Sequence, residues 1–197
     1  MDELTCMKSR NTDLVDLDHY PFKLDIRYAR EDNFMGKAVY PIEKAFLQEC
    51  VAEDLAAVHD SLAEHGFGIL VYDGYRPWIV TKIFWDWANK EQREFFANPE
   101  TGSAHNRGCA VDCSLFDLKT GKEVRMPSEF DELNEHSWAA YAGGTDEERK
   151  CRDLLIRTME EHNFKGIKNE WWHFNHVAVA DYPILNLSFG EIMEAID

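Results

Sequence analysis

No stretch of this 197-residue chain approaches the ~20 consecutive apolar residues of a membrane-spanning helix, so the sequence predicts a soluble protein with no membrane partner. Basic residues are scarce. The 21 Lys and Arg stand against 37 Asp and Glu, and the formal charge of -16 repels a phosphate backbone, which argues against nucleic acid as a partner. Most of that acidity reads as a solvated surface, yet it also suits a small substrate carrying a free ammonium group. A secretory leader is missing too: Met1-Asp2-Glu3-Leu4-Thr5-Cys6 is acidic where a leader is basic, and no apolar run of ~7–15 residues follows, which points to the cytoplasm. Cysteine is too sparse for a disulfide scaffold. Cys6, Cys50, Cys109, Cys113 and Cys151 are odd in number and irregularly spaced, so reduced thiols are expected. Internal repeats and low-complexity stretches are absent.

What remains is the composition of an ordinary globular chain of a size that fills one domain, so residues 1–197 are expected to form a single unit. Phe22, Leu24, Ile26 and Tyr28 alternate with the period of a half-buried strand ending near Ala29. From Pro41 a helical pattern is expected, with Leu47, Val51, Leu55, Val58 and Leu62 on its inner stripe and Gly66 as its stop. Phe67–Tyr72 reads as a buried strand that runs into the turn Asp73-Gly74-Tyr75-Arg76-Pro77. A second helix is expected from about Pro77 to Phe96, with Val80, Ile83, Phe84 and Trp87 facing inward. Cys109 to Phe116 reads as a strand carrying Cys109, Val111, Cys113 and Leu115 on one face and Asp112 on the other, and Thr120-Gly121-Lys122 closes a hairpin. A long loop spans about Met126 to Gly144, and a capping box of Thr145 and Glu148 opens a last helix ending at Asn163. Helices and strands do not alternate as βαβ units. The expected class is therefore α+β, with a mainly antiparallel central sheet flanked by helices.

Two segments carry chemistry. Ser103-Ala104-His105-Asn106-Arg107-Gly108-Cys109-Ala110-Val111-Asp112 and Glu170-Trp171-Trp172-His173 together offer two imidazoles, one ligating carboxylate and a second carboxylate for proton transfer. That is the inventory of a hydrolytic zinc site, where three protein ligands leave a fourth position for water. Gly108 suits the bend that lets His105 and Asp112 converge. Glu170 and His173, three residues apart, lie on opposite faces of a regular strand, so the segment has to be coiled or bulged for both to reach one ion. Taken singly, each residue has a plainer reading: an isolated His is usually a hydrogen-bonded structural group, and an isolated Asp at a strand end is usually solvated.

The two motifs resemble those of the D-alanyl-D-alanine dipeptidases, the VanX-type zinc peptidases, whose ligand motif is Ser-x-His-x-x-Gly-x-Ala-x-Asp and whose later motif is Glu-x-Trp-His. Both stand here in order, and the resemblance extends to Tyr28-Ala29, Asn33-Phe34, Gly36-Lys37, the Asp73–Pro77 turn and Met126 through Asp131. It implies one zinc ion per chain on His105, Asp112 and His173, Glu170 as general base and acid, and Arg76 as the group that stabilises the transition state. It also implies a small dipeptide substrate whose ammonium meets Asp131 and which Ser103 helps to place. Asp131 keeps its plainer reading as a solvated loop acid, because Pro127 stands where the family has glycine.

Other readings stay open in the residues. Cys109 and Cys113 flank Asp112, and zinc accepts thiolates. His136 and His176 are spare imidazoles, expected at the surface or behind the ligands. A related D,D-carboxypeptidase or peptidoglycan endopeptidase would share the ligand motifs. An iron oxygenase would share the ligand types but usually spaces the first His and the acid as H-x-D/E, and a non-catalytic zinc domain would have no use for Glu170 and Arg76. Oligomeric state, pathway and stereochemical preference are not legible in the residues.

Overall fold

A computed structural model describes residues 13–196. The acidic segment Met1–Cys6 lies outside the described residues. Among the described residues seven strands form two sheets. β1 (Leu14–Asp16) pairs antiparallel with β3 (Phe46–Gln48), and a five-stranded sheet runs in the order β2 (Lys23–Leu24), β4 (Phe67–Asp73), β5 (Ala110–Asp117), β7 (His173–His176) and β6 (Phe164–Gly166). Only the β2–β4 pairing is parallel, so the α+β class with a mainly antiparallel sheet holds.

Among the described residues four helices flank these sheets: α1 (Glu49–Ala63), α2 (Trp78–Trp87), α3 (Asp146–Glu161) and α4 (Phe189–Ile196). α1 buries Val51, Leu55, Val58 and Leu62, the predicted stripe. Complete burial of such side chains is worth about 1.5–3 kcal/mol each. The helix starts eight residues later than Pro41. Leu47 is buried as expected, but as part of β3, because Phe46–Gln48 finds a partner strand in Leu14–Asp16 that local periodicity does not reveal. α3 opens on the full capping box, with Thr145 and Glu148 exchanging side-chain and backbone hydrogen bonds.

Two expectations fail more clearly. The strand read across residues 22–28 pairs only at Lys23 and Leu24. Ile26 and Tyr28 are buried instead through a 3-10 turn at Arg27–Ala29, which turns Tyr28 toward the centre of the molecule. The second helix stops at Trp87, short of Phe96, and a separate 3-10 turn covers Gln92–Phe95. Val80 and Phe84 face inward, whereas Ile83 and Trp87 remain exposed.

Candidate metal centre

The register of the central sheet assembles the site. Asp73 is paired with Asp112 across β4 and β5, and Asp112 with His173 across β5 and β7, so three polar side chains fall in one row at one end of the sheet. A register shift between Val71 and Asp73 breaks the regular ladder at that end, as a bulge does when it re-aims a side chain. His105 joins the row from a 3-10 turn, His105–Arg107, that precedes β5. That turn ends at Gly108 with φ +67°, and a Cβ there would come within 2.6 Å of Leu14 Cδ2 and 3.2 Å of the Gln48 amide nitrogen. Only glycine fits both the left-handed backbone and the space.

His105, Asp112 and His173 are all buried, with one potential ligand atom of each lying within 4.8 Å of the others. His105 Nδ1 is 2.7 Å from the Gly74 carbonyl and donates to it, which leaves Nε2 as an acceptor aimed at the cluster. His173 Nε2 stands 3.0 Å from Asn175 Oδ1 and donates there, leaving Nδ1 as an acceptor aimed at the same point. These two acceptor nitrogens are 3.1 Å apart, with Asp112 Oδ1 at 2.9 Å from His173 Nδ1 and 3.3 Å from His105 Nε2. Three facing acceptors repel unless a cation lies among them. Ligands at ~2.0–2.1 Å around a tetrahedral ion are about 3.3 Å apart, so this donor set fits zinc.

Arg76 and Glu170 complete the surroundings. Asp73 accepts from Arg76 Nε at 2.9 Å and Nη2 at 2.7 Å, and the guanidinium packs over the Tyr28 and Phe84 rings. Burial opposes the Arg76 charge, but Asp73 and the neighbouring groups outweigh it. The Arg76 and His105 turns also clasp each other: Arg76 N–H donates to the His105 carbonyl at 3.0 Å, and the buried Asn106 side chain donates to the Arg76 carbonyl at 2.8 Å. Glu170 Oε2 is 3.8 Å from His173 Nδ1. Its segment is coiled, as the three-residue spacing requires, and is held by Trp171, whose N–H donates to the Ser137 carbonyl and whose indole donates to Ser128 Oγ. Burial first, and then the Asp112 charge, push the Glu170 carboxyl up to about 7.

A cavity of about 330 Å³ opens onto this cluster and is lined by Arg76, Ser103, Asp131 and Glu170 among others. Ser103 Oγ accepts the His105 N–H at 3.2 Å, so it braces the His105 turn from the cavity wall. Asp131 has φ +62°, accepts the Tyr28 hydroxyl on Oδ1 at 3.1 Å, and leaves its buried Oδ2 without a partner. The solvated-loop reading of Asp131 therefore does not describe it. Cys109 and Cys113 belong to the apolar core, where burial pushes the Cys109 thiol up to about 12 and Cys113 well above its usual value. His136 pairs with Glu132 on the long loop, and buried His176 pairs with Asp54 of α1. Asp73, Asn106 and Asn175 are positioning groups that residue types alone did not single out. Asp73 and Asn106 lie inside the quoted motifs, whereas Asn175 carries no local signal.

The family profile described as D-ala-D-ala dipeptidase, peptidase family M15, matches residues 10–189. The chain belongs to the D-Ala-D-Ala dipeptidase family of metallopeptidases. Within that family it is 33% identical to a D-alanyl-D-alanine dipeptidase of Enterococcus faecium, over 84% of this chain and 89% of the relative. It is also 33% identical to one of Escherichia coli (strain K12), over 92% and 94%. Among solved structures, the vancomycin-resistance D,D-dipeptidase VanXYg in complex with a D-Ala-D-Ala phosphinate analogue aligns with a TM-score of 0.45 and 16% identity, over 94% of this chain and 72% of that one. Among the described residues, no helix is long and apolar enough to cross a membrane.

Proposed function

We propose that the protein is a zinc-dependent dipeptidase that hydrolyses D-alanyl-D-alanine, or a closely related short D,D-dipeptide. The observation that carries this reading is the convergence of three acceptor atoms from His105, Asp112 and His173 beside a buried second carboxylate, Glu170. His105, Asp112 and His173 would hold one zinc ion, which when bound supplies a Lewis acid and brings the pKa of a coordinated water toward ~7. Glu170 takes the proton from the attacking water and returns it to the leaving amine, a task that favours a carboxyl whose pKa lies near neutrality. Arg76 has five N–H donors, of which Asp73 occupies two, and its Nη2 also lies 3.6 Å from Asp112 Oδ2; the donors left over would meet the oxyanion that develops at the scissile carbonyl.

Asp131 Oδ2 is a buried acceptor without a partner and suits the substrate ammonium, while Ser103 keeps His105 in place at the same wall. The names of the E. faecium and E. coli relatives support D-Ala-D-Ala as the substrate. The test is an assay of the zinc-loaded protein against D-Ala-D-Ala, L-Ala-L-Ala and a D-Ala-terminated tripeptide. Rapid cleavage of D-Ala-D-Ala alone is the expected result. Preference for the tripeptide would replace this reading with a carboxypeptidase.

A further inference from the structure

A free dipeptide carries charge at both ends. Asp131 Oδ2 suits the ammonium, but the terminal carboxylate has to enter a cavity whose wall is already rich in anions. Four carboxyl side chains line it, Glu94, Asp112, Asp131 and Glu170, against a single guanidinium, Arg76, which Asp73 engages. A further anion in such a wall needs N–H donors fixed in place. Asn175, on the same wall, offers one. Its Oδ1 accepts from His173 Nε2 at 3.0 Å, which pins the amide group, and its Nδ2 has no hydrogen-bond partner among the described residues.

Its place in the sheet fits the carboxylate end. His173 and Asn175 are two apart on β7 and share one face, and across the ladder Asn175 stands opposite Ala110 as His173 stands opposite Asp112. Asp131 lies on the other flank, where its Oδ1 is bonded to Tyr28 and the Tyr28 ring packs against Arg76 at the end of β4. β5, with Asp112, runs between β4 and β7. A dipeptide with its ammonium at Asp131 and its scissile carbonyl over the metal ligands therefore directs its leaving residue toward β7. Glu170, 3.8 Å from His173 Nδ1, stands on that side to protonate the leaving amine. The carboxylate belongs to the same leaving residue, on the side of Asn175.

We propose that Asn175 Nδ2 receives the terminal carboxylate of the dipeptide and so selects substrates with a free C-terminal acid; this assignment rests on the dipeptidase reading above. The test compares D-Ala-D-Ala with its C-terminal amide on the zinc-loaded full chain, as the ratio of kcat/KM for the two substrates. That ratio does not depend on how much of a variant is folded or metal-loaded, so a merely structural role for Asn175 would leave it unchanged. The wild type is expected to favour the free acid by on the order of ten-fold or more, the effect of one hydrogen bond to a charged group. Asn175→Asp keeps the acceptor for His173 but puts a like charge where the donor stood, and is expected to lose the preference through a raised KM for the free acid alone. Asn175→Leu, close in size and without a donor, is expected to shrink the ratio by the same order with no charge added. A wild type that cleaves acid and amide equally well, or Asp and Leu variants that keep the wild-type ratio, would overturn the assignment and leave the dipeptidase reading standing. Cleavage of neither substrate by the zinc-loaded wild type would overturn that reading and this assignment together.

Discussion

Asp73 Oδ2 grips Arg76 through both Nε and Nη2, and the two side chains are buried together at the end of β4. The Asp73 carboxylate also takes the Tyr40 hydroxyl at 2.8 Å and the Gly74 N–H at 2.9 Å, so it is fixed on three sides. Loss of this carboxylate leaves the buried guanidinium with no counter-charge nearer than Asp112 Oδ2, 3.6 Å from Nη2. Asp73→Ala is therefore expected to cost about 3–5 kcal/mol, read as a lower midpoint in urea unfolding. A midpoint within error of the wild type would show that the pair does not hold Arg76.

Zinc binding is expected to follow the imidazole and carboxylate donors and to ignore the thiols. His105→Ala should lose most of its metal after dialysis, while Cys109→Ser should keep about one zinc per chain, both measured by elemental analysis. Chelation of the wild type should lower its melting temperature, because an ion bound only by the folded state stabilises it by mass action. A His105→Ala protein with full zinc content would remove His105 from the ligand set.

Glu170→Gln keeps the size of the side chain and deletes its proton acceptor. The expected loss is ~10²–10⁴ in kcat, with zinc content and melting temperature close to those of the wild type. A rate loss that merely tracked the folded fraction would assign Glu170 a structural task instead.

Asp131→Asn should raise KM for the free dipeptide by on the order of ten-fold or more, since a charged partner of the ammonium becomes neutral. N-acetyl-D-Ala-D-Ala should be a poor substrate of the wild type for the same reason. Equal rates on the acetylated and free dipeptides would take Asp131 out of substrate binding.

Gly108→Ala tests the bend that joins the His105 turn to β5. The added Cβ meets Leu14 and the Gln48 backbone on a residue already at positive φ, so both strain and overpacking apply. About 2 kcal/mol or more of stability should be lost in chemical denaturation. An unchanged unfolding midpoint would show that the turn can relax at no cost.

The sequence by itself determined much of this protein. The stripe of α1, the capping box of α3, the buried strand before Asp73 and the coiled approach to His173 all follow from spacings within one segment, because helix and strand periods are set by the local backbone. The chemistry of the two motifs was also legible, since imidazoles and carboxylates in that order suit few tasks. Contacts between distant segments were not. Nothing near Leu47 announces that Leu14–Asp16 will draw it into a strand, and nothing near Tyr28 announces that a 3-10 turn will aim it at Arg76 and Asp131. Only the tertiary structure decided that Asp73, Asp112 and His173 fall in one row, because strand register depends on pairing partners that lie far apart in the chain. It also decided that Ile83 and Trp87 face outward: the apolar row of α2 is wider than the surface available beneath it, and periodicity does not say which part of a wide apolar stripe the core covers.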